Sequence, residues 1–163
     1  MRDVCISKGI YYMGVNDRRK HLFENNWPLP YGVSYNSYLI KDEKSVLLDT
    51  IEYGSNDNFL NHIERILAGA PLDYLVVNHM EPDHSSMIEC VTRRFPNVKL
   101  IGNAQTAKIL KLYFNLPDES IMIVKDGETL SLGEHTLSFH FIPWVHWPET
   151  MVTYEQSTQT LFS

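Results

Sequence analysis

The chain has little of what several classes of protein depend on. Only two of its 163 residues are cysteines, Cys5 and Cys90, so it is not a disulfide scaffold, and a reducing cytoplasm is its simplest location. No apolar run approaches the ~18 residues of a membrane span, and the first residues have no signal-peptide character. The net charge is −6 without any basic run, which argues against a nucleic-acid partner. A glycine-rich phosphate loop is also missing, which excludes nucleotide binding by that route.

The composition is that of a soluble globular protein with one sizeable core, because 44% of the residues are hydrophobic and 21% are charged. Two hairpins are predicted first, over residues 4–15 and 34–49. The polar segment 17–30 between them is predicted to be a long loop that packs through Phe23 and Trp27. A helix over residues from about 55 to 68 then follows, since its apolar residues recur at helical spacing.

Strand and helix alternate in the middle of the chain. The short apolar run 74–77 predicts a strand that is covered on both faces. A helix is expected from Ser85 to about Arg94, with Ser86 and Glu89 at capping-box spacing. Further on we predict a strand over 98–101, a helix over 104–114, and strands near 121–124, 136–142, 151–154 and 160–162. The order of elements, with strands first, then alternating strands and helices, then strands again, predicts the α/β (α+β) class, as a layered sandwich of mixed sheets.

Four potential metal ligands stand in the segment His79-Met80-Glu81-Pro82-Asp83-His84, directly after the covered strand. If the segment is extended, His79, Glu81 and Asp83 share one face, and a turn at Ser85 brings His84 round. Ligand sites of α/β sheets gather at such carboxyl ends of strands. Imidazoles and carboxylates without a nearby thiolate suit Zn, Fe or Mn. The alternative, four polar residues in a surface loop, explains this density less well.

A second cluster, Pro143-Trp144-Val145-His146-Trp147-Pro148-Glu149-Thr150, contains His146, 62 residues after His84. His146 is expected to join the first cluster as a ligand, and the tryptophans and prolines to form a rigid, dry wall. Trp147 is either a core aromatic or the lining of a reaction pocket, and Glu149 is either solvated or behind the ligands. The other histidines have no partner at ligand spacing and are expected to be structural or exposed: His21, His62, His135 and His140.

These residues resemble a known family. A His-x-x-x-Asp-His segment and a lone His about sixty residues later form the pattern of the metallo-β-lactamase-like fold. Its hydrolases usually have His where Glu81 stands. This substitution, together with His146-Trp147-Pro148 and the segment Gly32-Val33-Ser34-Tyr35-Asn36-Ser37-Tyr38-Leu39-Ile40, is similar to the flavodiiron proteins. The likeness extends over nearly the whole chain.

The resemblance implies an αββα sandwich and a non-haem centre of two iron ions that reduces O2 to water or NO to N2O. By position, His79, Glu81 and His146 would ligate one iron and Asp83 and His84 the other, although the family position of His84 does not always bind metal. Electrons would come from FMN in a flavodoxin-like domain, supplied by a donor protein such as rubredoxin. The family forms head-to-tail homodimers, in which the FMN of one subunit lies beside the irons of the other.

The chain also departs from the family pattern. A bridging Asp, a further His and the FMN domain are all absent from these 163 residues. We therefore expect residues 1–163 to be the front part of the di-iron domain, inactive without a partner chain that carries the remainder. Two other functions use the same ligands. A zinc hydrolase of this fold would act on a thioester or lactam, and a di-iron oxygen sensor would bind without catalysis.

Overall fold

A computed structural model describes residues 3–163 of the chain. The strands are β1 (Val4–Ser7), β2 (Ile10–Tyr12), β3 (Val15–Asp17), β4 (Leu22–Phe23), β5 (Trp27–Pro28), β6 (Val33–Tyr35), β7 (Tyr38–Ile40), β8 (Val46–Leu48), β9 (Tyr74–Val76), β10 (Lys99–Gly102), β11 (Ile121–Ile123), β12 (Thr129–Ser131), β13 (Thr136–Phe141), β14 (Met151–Glu155) and β15 (Thr160–Phe162). The helices are α1 (Phe59–Leu67), α2 (Pro82–Ser85), α3 (Ile88–Arg94) and α4 (Ala104–Tyr113). A 3-10 turn covers Asp118–Ser120.

The larger sheet has seven strands in the order β1-β2-β7-β8-β9-β10-β11. Pairing is antiparallel from β1 to β8 and parallel from β8 to β11. The carboxyl ends of the parallel strands therefore meet at one edge of the sheet, where ligands of α/β proteins commonly bind. Asp49 follows β8 at this edge, Asn78 and His79 follow β9, and Asn103 follows β10.

Two hydrophobic cores lie on the two faces of this sheet. Leu75 in β9 packs with helices α1, α3 and α4, whereas its neighbour Val76 packs with the smaller sheet β12-β13-β14-β15. This division follows from the alternation of side chains along a strand. The layers are helix, sheet and sheet, which confirms the predicted α/β sandwich. Each large apolar side chain that is fully buried in these layers contributes roughly 1.5–3 kcal/mol.

The predicted helices are present, with shorter bounds. Helix α1 begins at Phe59 rather than near residue 55, and its apolar stripe is buried as the spacing predicted. Helix α4 begins after Asn103, whose side chain accepts the backbone N–H groups of Gln105 and Thr106, both at 2.9 Å. That cap fixes the start of α4 beside the carboxyl edge of the sheet.

Two local predictions were wrong. Segment 17–30 contains the small hairpin β4–β5, and Trp27 is 64% exposed, so the segment does not pack through this residue. The strand over 34–40 is interrupted, and its first part, β6, pairs with β3 in a separate ribbon. Short polar segments of this kind carry no periodicity long enough to separate a loop from a hairpin.

The predicted capping box of Ser86 and Glu89 was also wrong. Ser86 Oγ accepts the N–H of Tyr53 at 2.8 Å, and α3 begins at Ile88 without a side-chain cap. A tertiary contact therefore uses the hydroxyl that the sequence pattern assigned to the helix.

Strand β12 was missed by the sequence analysis. Within the part of the chain that the structure describes, no helix has the length and apolar character to cross a bilayer.

Candidate metal centre

The potential ligands lie where β9 ends, but the backbone does not stay extended as far as expected. The strand stops at Val76, Glu81 is still extended (φ −61°, ψ 146°), and Pro82 begins the short helix α2. The expected alternation therefore applies to His79 and Glu81 and fails for Asp83, which lies in the first turn of α2. Pro82 favours this change because its φ is already helical and it has no N–H to satisfy.

Three of the five predicted ligands converge on one point. The Nε2 atom of His79 lies 3.1 Å from Glu81 Oε2 and 3.2 Å from His146 Nε2. Glu81 Oε2 and His146 Nε2 are 2.9 Å apart. Ligand atoms that share one ion at about 2.1 Å, at tetrahedral or octahedral angles, are separated by about 3.0–3.4 Å. The spacing of the three atoms thus fits a single transition-metal ion.

The chemistry of the three atoms fits a cation as well. His79 Nδ1 lies 2.9 Å from Glu149 Oε1, and since a carboxylate only accepts, the imidazole donates there. When Nδ1 carries the ring proton, Nε2 presents a lone pair to Glu81 Oε2. Two lone pairs at this distance repel each other unless a proton or a metal ion lies between them.

Asp83 and His84 form a neighbouring pair outside this three-residue group. His84 Nε2 lies 3.7 Å from Asp83 Oδ2, and the rings of His84 and His79 are 5.2 Å apart. Asp83 Oδ1 is buried without a hydrogen-bond partner among the described residues. Burial, followed by the charge of Glu81, raises the pKa of Asp83. An uncompensated carboxylate oxygen beside the three-residue group is suited to a second cation.

The ring of His84 is held from behind by Asp49. His84 Nδ1 lies 3.2 Å from Asp49 Oδ2, and Asp49 Oδ1 accepts the N–H of Asn78 at 2.7 Å. Burial alone would lower the pKa of His84, but the Asp49 carboxylate and the nearby charges of Asp83 and Glu81 raise it to about 9. In the metal-free chain His84 therefore carries a proton that a cation would have to displace.

His146 reaches the site because the loop between β13 and β14, and the start of β14 itself, are hydrogen-bonded to residues at the carboxyl edge of the larger sheet. Met151 N–H donates to Asn78 O at 3.0 Å, and Thr153 Oγ1 donates to Asn78 Oδ1 at 2.8 Å. Asn103 Nδ2 donates to the carbonyl of Glu149 at 2.6 Å. The side chain of His146 itself is 66% exposed, whereas those of His79 and Glu81 are almost fully buried.

The expected wall of two tryptophans is half correct. Trp147 is partly buried and its indole meets the His79 ring edge-on, with centroids 5.2 Å apart. It also lines an apolar cleft of about 310 Å³ with Met80 and Phe114. Trp144 is 74% exposed, so the expectation that it shields the site was wrong. Its position in the loop directs the indole outward, which the sequence cluster does not reveal.

A second, charged cleft of about 150 Å³ lies on the other side of Pro82. Its lining includes Glu81 and Asp83 from the ligand segment, together with Lys20 and Glu52. Lys20 Nζ and the hydroxyl of buried Tyr35 both donate to the Glu52 carboxylate. Glu81 and Asp83 thus border a cleft in addition to the one that Trp147 lines.

Two carboxylates that matter here were missed or left open by the sequence. Asp49 follows β8 just as the ligand segment follows β9, and this shared position at the ends of parallel strands was the available signal. Glu149 is 0% exposed, which excludes the solvated alternative. Elsewhere in residues 3–163 no other group of three or more His, Cys, Asp or Glu was found that could hold a metal ion.

Known proteins resemble this chain over nearly its whole length. The model of the ODP family of beta lactamases matches residues 33–163. The rubredoxin-oxygen oxidoreductase of Megalodesulfovibrio gigas is 31% identical over 100% of the chain and 40% of its own length. The nitric oxide reductase of Moorella thermoacetica is 34% identical over 93% of the chain and 38% of its own length.

A solved structure agrees. The flavodiiron protein from Giardia intestinalis matches with a TM-score of 0.89 at 31% identity, over 100% of this chain and 40% of that chain. The chain therefore spans about 40% of the length of these relatives.

Proposed function

Since the chain belongs to the flavodiiron proteins, through their beta-lactamase-like domain, we propose that it forms the front part of a di-iron oxidoreductase. The reaction we propose is reduction of O2 to water, of NO to N2O, or of both. The names of the relatives from Megalodesulfovibrio gigas and Moorella thermoacetica support these two substrates.

The observation that carries the proposal is the donor set at the centre. Glu81 Oε2 lies within 3.1 Å of both imidazole Nε2 atoms, so the three-atom group includes an anion. An anionic oxygen ligand stabilises the higher oxidation state of a metal, which favours iron over zinc in a redox reaction. A zinc ion held by the same atoms could not exchange electrons with O2 or NO, because zinc keeps its oxidation state and acts by acidifying water.

We assign His79, Glu81 and His146 to one iron and Asp83 and His84 to the other. Iron ions bound there would supply the electrons that O2 or NO accepts. His79 and Glu81, whose side chains are almost fully buried, would hold the first ion, and His146, whose side chain is 66% exposed, would complete the set. Trp147 limits the entry of water next to His79 and leaves an apolar approach for a small gas.

Other partners of the reaction are proposed from the family. FMN in a flavodoxin-like domain would deliver electrons, and a rubredoxin-type protein would reduce the FMN, as the name of the Megalodesulfovibrio gigas relative suggests. We propose a homodimer, with the FMN of one subunit beside the irons of the other. The chain is expected to turn over only when the remaining ligands and the FMN domain accompany it.

The test combines metal analysis with gas consumption. The chain is produced together with a polypeptide that carries the remaining ligands and the FMN domain, without added metal, and its iron and zinc contents are measured. Steady consumption of O2 or NO with a reductant, at about two irons per chain, is the expected result. Zinc in place of iron with thioester hydrolysis would contradict the proposal, and iron without steady consumption would favour the sensor.

A further inference from the structure

Glu149 is a buried anion at an unusual place. Its side chain is 0% exposed, in a loop that crosses the edge of the larger sheet. Oε1 accepts from His79 Nδ1 and from the backbone N–H of Met80, both at 2.9 Å. Oε2 has no hydrogen-bond partner among the described residues. A carboxylate held this way is unfavourable unless a positive charge compensates it nearby.

The nearest candidate for that charge is the centre on the other side of the His79 ring. The ring joins Glu149 at Nδ1 to Glu81 and His146 at Nε2. Thr150 Oγ1 also approaches Nδ1, but at 3.4 Å it competes poorly with the carboxylate at 2.9 Å. The direction of the His79 ring is thus set by one buried acceptor.

We propose that Glu149 is a positioning residue of the metal centre, whose carboxylate holds the Nδ1–H of His79 and thereby aims Nε2 at Glu81 and His146. The inference rests on the metal centre of the proposed function but not on iron or on the reaction. Zn²⁺ is therefore a sufficient probe, and because it is diamagnetic it is compatible with NMR.

The backbone of Glu149 ties the same residue to the sheet. Asn103, the cap of α4, donates to the Glu149 carbonyl at 2.6 Å. Met80, whose N–H the carboxylate accepts, lies between the ligands His79 and Glu81. One residue therefore fixes the ring, the ligand segment and the loop that carries His146.

The chain offers a matched control in Glu155. Its carboxylate is also 0% exposed and lies 3.2 Å from the Nδ1 of a buried imidazole, that of His135. Neither residue belongs to the metal group. Glu155→Gln therefore tests what the loss of a buried Glu–His pair does to the protein in general.

The experiment measures Zn²⁺ affinity by competition with a chelator, and ¹⁵N NMR of His79 in the zinc-loaded chain. The wild type is expected to show a protected Nδ1–H and metal on Nε2. Glu149→Leu should weaken Zn²⁺ binding by about 10–100-fold and lose the protected proton. Glu149→Gln keeps an acceptor without the charge and should retain the proton with an intermediate affinity. Circular dichroism and the Tm show that each variant is folded.

Glu155→Gln should lower the Tm and leave the Zn²⁺ affinity and the His79 signals unchanged. The inference is overturned if Glu149→Leu binds Zn²⁺ within about threefold of the wild type, well short of the expected loss. It is also overturned if Glu155→Gln weakens binding as much as Glu149→Leu does. A protein with these NMR and affinity results but no O2 or NO reduction would contradict the proposed function and leave the role of Glu149 intact.

Discussion

His84 Nδ1 lies 3.2 Å from Asp49 Oδ2, and this contact repeats the one between His79 Nδ1 and Glu149 Oε1 at 2.9 Å. Each of the two imidazoles at the carboxyl edge of the sheet has a buried carboxylate behind it. Both rings therefore turn Nε2 toward the same region, where Glu81 and Asp83 lie. The pairing gives the candidate centre two sides of similar construction.

Asp49→Asn should weaken the His84 side of the centre. Asp49 has a φ of +52°, a left-handed conformation that Asn tolerates, so the backbone should persist. The amide cannot match the carboxylate as a partner of His84, and we expect a loss of about 1–3 kcal/mol in the free energy of unfolding. Metal binding per chain should also fall. Chemical denaturation and metal titration measure the two effects.

The control for that variant is Asp126→Asn. Asp126 Oδ1 accepts the N–H of Phe141 at 2.8 Å, which is an equivalent bond to a strand outside the centre. Its effect should be within about 0.5 kcal/mol, without any change in metal binding. Equal losses in both variants would mean that Asp49 serves only the fold.

Glu81→His should convert the first site into a nitrogen-rich one. We expect the zinc-to-iron ratio of protein made without added metal to rise, and O2 or NO consumption by the complete enzyme to fall, because the neutral ligand no longer stabilises oxidised iron. Metal analysis and gas electrodes record the outcome. Glu89→His, at an exposed carboxylate of α3 that pairs with Arg93, is the matched control and should change neither quantity.

Trp147→Ala should destabilise the protein and loosen His79. The partly buried indole contacts the His79 ring at 5.2 Å, and its removal leaves a cavity, so we expect a loss of about 2 kcal/mol. Trp144→Ala removes a 74% exposed indole from the same loop and should cost less than about 0.5 kcal/mol. Urea unfolding of both variants is the measurement, and similar losses would contradict the described orientation of the loop.

The stability of the metal-free chain should depend on Glu155 at low pH. Burial alone would raise the pKa of Glu155, but hydrogen bonds from Thr158 and Ser157, together with the neighbouring His135 ring, lower it from 4.5 to about 2. The unfolded state therefore binds a proton first as the pH falls. The stabilisation, of order 3 kcal/mol, is fully present above pH 4.5 and is lost as the pH falls through 2.

Glu155→Gln tests this dependence. The difference in unfolding free energy between the wild type and the variant should be large at pH 7 and should shrink as the pH approaches 2. Denaturant titrations over this range provide the values. A difference that stays constant with pH would assign the effect to packing rather than to the charge of Glu155, and Glu155→Asp serves if the amide variant does not fold.

The local sequence was sufficient to predict the layers of the fold and part of the candidate metal centre. The helical spacing of Phe59 and Ile63 and the apolar run before His79 are properties of neighbouring residues, and both were visible without coordinates. The same locality explains the errors. Whether Ser86 caps a helix or binds Tyr53, and whether Trp144 faces in or out, depends on residues far away in the chain.

The sequence by itself determined which side chains can bind a metal and that they follow a covered strand. Only the tertiary structure decided which of their ligand atoms lie close together, because Pro82 turns the chain into α2 and takes Asp83 out of line with Glu81. It also decided the role of Glu149, 70 residues from His79, through hydrogen bonds that form when two sheets pack. The hydrophobic periodicity of a helix or strand depends only on neighbouring residues, whereas contacts between residues far apart in the chain depend on how the layers pack.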